Sequence, residues 1–360
     1  VHSSFNKRIT RIMAFSTIDK STLYQNTVLY DGDGTDARGI TGVGFQPDLT
    51  LIKQRDDYDR DWIWTDAVRA ATKTLRSNTT AGESTDGSYL QSFNADGFTI
   101  GDSVNVNNSS GNNYYAAWNW KANGSGSANT DGDIASTVSV NTTSGFSIVT
   151  YTGTGVAGAT IGHGLATTPA FIIVKCLSAT QPWRVYHGSL GADYALILNN
   201  TIAKDDDTTA WNDTEPTSSV FSAGTTASIN GSGSTYVAYC FAEIAGYSKF
   251  GSYKGNNGGS DGPFVYTAFA PQLVIQKLSS HAGANWYVRD IKRDTYNTRD
   301  NTLRFNTNTT ESSSEDIDFL SNGFKCRANG LNQQDNGYTY LYMAFGQPII
   351  SNSGVSANAR

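Results

Sequence analysis

The chain has 360 residues, 38% of them hydrophobic and 12% aromatic, enough apolar material to bury cores and to exclude wholesale disorder. Charged residues make up only 16% and the formal net charge is −6, which argues against nucleic acid as the main partner. Asn, Thr, Ser and Gly supply the polar surface instead, a composition suited to short strands joined by many turns.

In chain order, residues 1–27 read as an N-terminal lead, whose first twelve residues precede Met13 as a basic extension. A first unit spans 28–123. In it Pro47 pre-sets an extended backbone ahead of the apolar run Leu49–Lys53, Trp62 and Trp64 share one face of the next strand, and Tyr115–Trp120 closes the unit. Residues 124–145, rich in Gly, Ser and Thr, read as a linker. A second unit at 146–250 and a third at 251–350 follow, then a tail at 351–360.

Two signatures tie the units together. Pro47 precedes Lys53 by six residues, as Pro169 precedes Lys175 and Pro271 precedes Lys277. From each Pro to the Tyr that opens the last strand (Tyr115, Tyr236, Tyr340) is 68, 67 and 69 residues. Shared spacing of two motifs across three units is the mark of internal repetition. No stretch sustains a helical period. The expected fold is all-β: three tandem antiparallel β-sandwich repeats, jelly-roll or lectin-like.

Candidate chemistry is sparse. Asp66 with Arg69, and Asp290 with Arg293, stand at one recurring corner four residues after a Trp, where the second unit has His187 and Leu190. A carboxylate and a guanidinium at this spacing read as a loop-pinning ion pair. The rival reading makes Asp66 with Glu83, or Asp290 with Glu311, the two carboxylates of a glycosidase. His163 and His281 lack further ligands at metal spacing, and Asp31–Gly34 and Asp205–Asp207 lack the rest of a calcium loop, so neither a metal nor a cofactor is expected. Cys176 and Cys240 fall on strands that could neighbour each other, but the other units have no such pair, and free thiols are the preferred reading. Trp211 and Tyr58, which do not recur, and Trp64 beside a loop are the expected surface residues for stacking on a glycan or a partner.

As a set, Leu29–Tyr30 with its Gly-rich turn, Gly44–Asp48, Asn94–Phe98, Ala117–Lys121, Phe146–Gly153, Tyr236–Gly251 and Asp318–Phe324 resemble a repeated β-domain of marine phage virion proteins. Such proteins are often labelled tail fibre or virion structural protein. The likeness covers about residues 13–350. It implies a non-enzymatic component of the virion surface that contacts other virion proteins, and it brings no catalytic residues. A homo-oligomer is expected, with a trimer leading, and no membrane insertion. With no fibre shaft in the sequence, a head or tail decoration or a fibre tip fits better than a whole fibre. A lectin-like adhesin and a polysaccharide-degrading glycosidase are the alternatives.

Overall fold

The computed structural model describes residues 16–350 apart from 57 and 112, so the extension before Met13 and the tail at 351–360 lie outside the described residues. The chain is nearly all β, in several antiparallel sheets. One four-strand order occurs three times. In the first sheet it runs from an opening strand, Gln25–Asp31, to a closing strand, Tyr114–Trp120, then a lysine strand, Leu49–Gln54, and a tryptophan strand, Ile63–Asp66. The same order is filled by Phe146–Thr152, Thr235–Phe241, Phe171–Cys176 and Arg184–His187 in the second sheet. In the third it is filled by Ser248–Lys254, Thr339–Pro348, Phe269–Leu278 and Trp286–Asp290.

Register makes the positions equivalent. Leu49 lies opposite Trp120, Phe171 opposite Phe241 and Leu273 opposite Phe345. The rings of Trp120, Phe241 and Phe345 contact one another, with centroids 6.2, 5.8 and 5.8 Å apart. Inner-face residues of all three sheets, such as Leu51, Ile173 and Ile275, belong to a single apolar cluster. The outer faces bury separate clusters against small flanking sheets, Arg38–Thr41 with Gly97–Ile100 and Leu90–Asn94 in the first unit and Ala159–Gly162 with Val220–Ala223 in the second. Both faces of the lysine strands are therefore covered, which explains why all six residues of Leu49–Gln54 and of Phe171–Cys176 are buried and why Phe171–Cys176 is apolar apart from Lys175. The units are not beads on a string: they share the largest core.

The recurring Tyr has a local cause. Tyr115, Tyr236 and Tyr340 each donate a hydroxyl proton to a turn carbonyl, of Val104, Ala227 and Leu331, and accept a backbone N–H from the same turn. Each ring also stacks at 5.2 Å on a Tyr of the opening strand, Tyr30, Tyr151 and Tyr253.

The segment 124–145 corrects the linker expectation. It contains strands Ser127–Asn129 and Ser136–Asn141, and the second of these pairs along the outer edge of Phe146–Thr152. Ile134 and Val138 fall into the outer core of the second unit, so a Ser/Thr-rich stretch with a few well-spaced apolar residues is held as sheet. Residues 67–72 form turns between the tryptophan strand, which ends at Asp66, and the two-residue strand Lys73–Thr74. All three cysteines are free and buried.

Candidate functional site

The chemistry-bearing residues gather where one unit meets the next. Trp62, Trp183 and Trp286 begin this geometry: each backbone N–H is fixed by an Asn side chain, Asn78, Asn199 and Asn306. Each indole N–H then donates across a joint. Trp62 reaches the carbonyl of Arg304 at 2.8 Å, Trp183 those of Arg76 and Thr79 at 3.1 Å, and Trp286 that of Ile197 at 2.9 Å. The first unit thus donates to the third, the second to the first, and the third to the second. A matching ring of backbone bonds runs from Glu83 N to Leu177 O, from Lys204 N to Ser279 O and from Glu311 N to Arg55 O.

Asp66 and Asp290 occupy equivalent positions in these joints. Arg69 Nε lies 2.5 Å from Asp66 Oδ2, while Arg69 Nη1 lies 3.0 Å from Glu83. Tyr239 of the second unit donates to Asp66 Oδ2 at 2.8 Å. Likewise Arg293 Nε lies 2.6 Å from Asp290 and its Nη1 2.7 Å from Glu311, which also takes Arg55 at 2.8 Å. Here the indole of Trp118 completes the set, donating to Asp290 Oδ2 at 3.1 Å. Burial works against the Asp290 charge, yet the Arg293 guanidinium and the backbone N–H groups of Arg293 and Lys292 outweigh it and hold the carboxyl below its usual range. The third joint is neutral. Burial pushes His187 down to about 4, and its Nε2 faces the carbonyl of Tyr342 at 3.3 Å.

A guanidinium therefore stands between the two carboxylates of each acidic joint, in the gap where a glycosidase would hold the scissile bond. Glu83 and Glu311, weighed as catalytic partners, bridge to the arginines instead. Sequence reasoning missed Tyr239 and Trp118, whose only signal was their place on the closing strands.

Three lysines are buried at equivalent positions, and two of them bridge the joints. Lys53 Nζ donates to Asn308 O across a joint at 3.0 Å, Lys175 Nζ to Thr80 O at 3.1 Å, and Lys277 Nζ to Ala284 O within its own unit at 2.6 Å. Burial lowers Lys53 and Lys175 to about 8, and Lys277 to about 7. Nothing in the Pro-to-Lys spacing announced that these amines would be inside.

Two of the three expected surface aromatics are corrected. Trp64 is 2% exposed and packs on Trp183 and Tyr239 in the shared core, because it lies opposite Leu51 on the inner face. Trp211 is 1% exposed, since the short helix Thr208–Trp211 turns its ring onto Tyr186 in the second unit's outer core. Tyr58 is 43% exposed, with the Arg60 guanidinium 5.1 Å from its ring centroid.

Clefts open beside the joints. One of about 590 Å³ lies between Arg69, Glu83 and the threonines Thr137, Thr150, Thr152 and Thr235. Its counterpart of about 270 Å³ is lined by Leu29, Tyr30, Asp31, Arg55, Tyr114 and Tyr115. Among the described residues no group of three or more His, Cys, Asp or Glu side chains could hold a metal ion, and no helix is long and apolar enough to cross a membrane.

Residues 20–348 match the family described as a domain of unknown function (DUF7483), and the chain belongs to that family. No curated protein matches it.

Proposed function

We propose that this DUF7483 member is a non-enzymatic structural protein of a phage particle, made of three tandem antiparallel β-sandwiches that share one core and acting through assembly and surface contacts. The observation that carries the reading is the cyclic set of joints, in which Trp62, Trp183 and Trp286 each reach into another unit. Such joints turn three small sandwiches into one stiff block whose side chains of greatest chemical potential are already engaged. The motif resemblance to phage virion proteins supplies the setting, a decoration on the particle surface in contact with other virion proteins.

Antibody against the protein, applied to gradient-purified particles from the source culture, tests this reading. Banding with the particles is expected. Recovery only in the soluble fraction would overturn it, as would depolymerisation of a bacterial polysaccharide that Glu83→Gln abolishes.

A second reading, recognition of a host-surface glycan, is supported by the cleft of about 590 Å³ and its threonine hydroxyls. Screening on a glycan array, with Thr150→Val as the control for that cleft, separates it from the first.

A further inference from the structure

We propose that the first-unit cleft lined by Leu29, Asp31, Arg55 and Tyr114 is a subsite for one neutral pyranose ring of a glycan. A row of three residues just past the shared core recurs in each unit. In the first unit Asp31 lies opposite Tyr114, and the backbone N–H of Arg55 donates to the Tyr114 carbonyl at 2.8 Å. The second unit fills the same row with Thr152, Thr235 and Leu177, the third with Lys254, Thr339 and Ser279. The backbone bond recurs as well, from Leu177 to Thr235 at 2.8 Å and from Ser279 to Thr339 at 2.9 Å.

Threonine therefore meets what the fold needs at the closing-strand position. The first unit has Tyr114 there, 46% exposed. It also has Leu29, 41% exposed, where the second unit has Thr150 and the third Ser252. Side chains alternate along a strand, so Leu29 and Asp31 share the face of Tyr114. Single exposed apolar residues are ordinary on a protein surface. These two line one cleft together with a carboxylate and a guanidinium, at positions where the other units carry hydroxyls.

Both charged groups can still bond a ligand. Asp31 is exposed, and its carboxylate has no hydrogen bond or ion pair among the described residues. Arg55 engages Glu311 through Nε at 3.2 Å and Nη2 at 2.8 Å, which fixes the guanidinium and leaves Nη1 as a donor. A pyranose presents an apolar C–H face and a rim of hydroxyls. The Tyr114 ring and Leu29 cover the face, the Asp31 carboxylate accepts from hydroxyls, and Arg55 donates to one.

Size and charge narrow the class. At about 270 Å³ the cleft lies at the small end of ligand pockets, with room for a single ring. Glu311 already balances Arg55, so the uncompensated charge is that of Asp31, which repels an acidic sugar. This assignment deepens the glycan-recognition reading above, rests on it, and puts a sugar contact in the first unit.

Saturation-transfer NMR on the full chain tests it, with the methyl glycosides of glucose, galactose and mannose, and that of glucuronic acid as the acidic comparison, each at up to about 10 mM. Transfer to the ring C–H protons of at least one neutral glycoside is expected, and none to the acidic one. Tyr114→Thr, the residue type of the second unit's Thr235, is expected to weaken binding at least about fivefold, and Tyr114→Phe to keep it. Asp31→Asn is expected to weaken it about threefold, and this exposed position carries the test should Tyr114→Thr melt early. No transfer to any neutral glycoside, transfer to the acidic one alone, or binding that both Tyr114→Thr and Asp31→Asn leave unchanged overturns the proposal. Binding lost in Thr150→Val but kept in Tyr114→Thr puts the sugar in the second-unit cleft, which sinks this subsite and leaves the glycan reading standing.

Discussion

Tyr239 donates its hydroxyl proton to Asp66 at 2.8 Å, although 173 residues separate the two in the chain. The bond joins the second unit to the first at a fully buried carboxylate, and the Tyr239 ring also packs on Trp64 at 5.6 Å. Tyr239→Phe keeps the ring and deletes the bond. A hydrogen bond to a buried charge is worth about 1.5–3 kcal/mol, so the variant is expected to lower unfolding free energy by about 2 kcal/mol. Urea titration of the two proteins measures the difference, and a loss too small to resolve would mean that Arg69 and the backbone already satisfy Asp66.

Arg293 holds two carboxylates, Asp290 and Glu311, with no exposure of its own side chain. Arg293→Met leaves buried negative charge without its counter-ion, and a loss of about 3–5 kcal/mol is expected. Adding Asp290→Asn is expected to recover part of it. Because the Asp290 carboxyl titrates below its unfolded value, its contribution is present above an unfolded pKa of about 3.9 and is lost as pH falls through the lower folded value. Acid unfolding of the native protein therefore carries a component that Asp290→Asn lacks.

These joints also mark how far the sequence could be read. The Pro-to-Lys and Pro-to-Tyr spacings announced three equivalent strand sets, since each motif answers to a local need, and Tyr115, Tyr236 and Tyr340 meet theirs within a dozen residues. What periodicity left out was which face of each strand looks inward to another unit. Leu51, Ile173 and Ile275 read as core whether that core is private or shared. Trp211 and Trp64 read as surface because loops are usually exposed, but a Trp in a short helix can be turned inward by tertiary contacts that leave no local trace. Ser136–Asn141 was hidden by its composition, for Ser and Thr mark linkers and edge strands alike.

Sharing of the core predicts cooperativity. A fragment of residues 248–350 would present Leu273, Ile275, Met343 and Phe345 to water, all now buried in the common cluster. It is expected to fail to give dispersed amide resonances when expressed alone, whereas the full chain melts in one calorimetric transition. Three separable transitions, or a folded third unit, would show that each unit stands by its outer core.

Lys277 supplies a pH signature. Its amine is 1% exposed and burial alone takes it down to about 7, against an unfolded value of about 10.4. Between those values the unfolded chain binds more protons than the folded one, so this residue makes stability rise with pH from about 7 to about 10. Below that window the folded state must carry a buried ammonium that, among the described residues, bonds the Ala284 carbonyl. Lys277→Met removes the charge and keeps the apolar stem. The variant is expected to exceed the native protein by about 1 kcal/mol or more at pH 7, with the gap closing toward pH 10. Denaturant titrations at several pH values give the difference directly. Comparing the two proteins cancels the buried tyrosines, which titrate in both. A gap that stays constant across the window would mean that the folded protein holds Lys277 charged at neutral pH without strain.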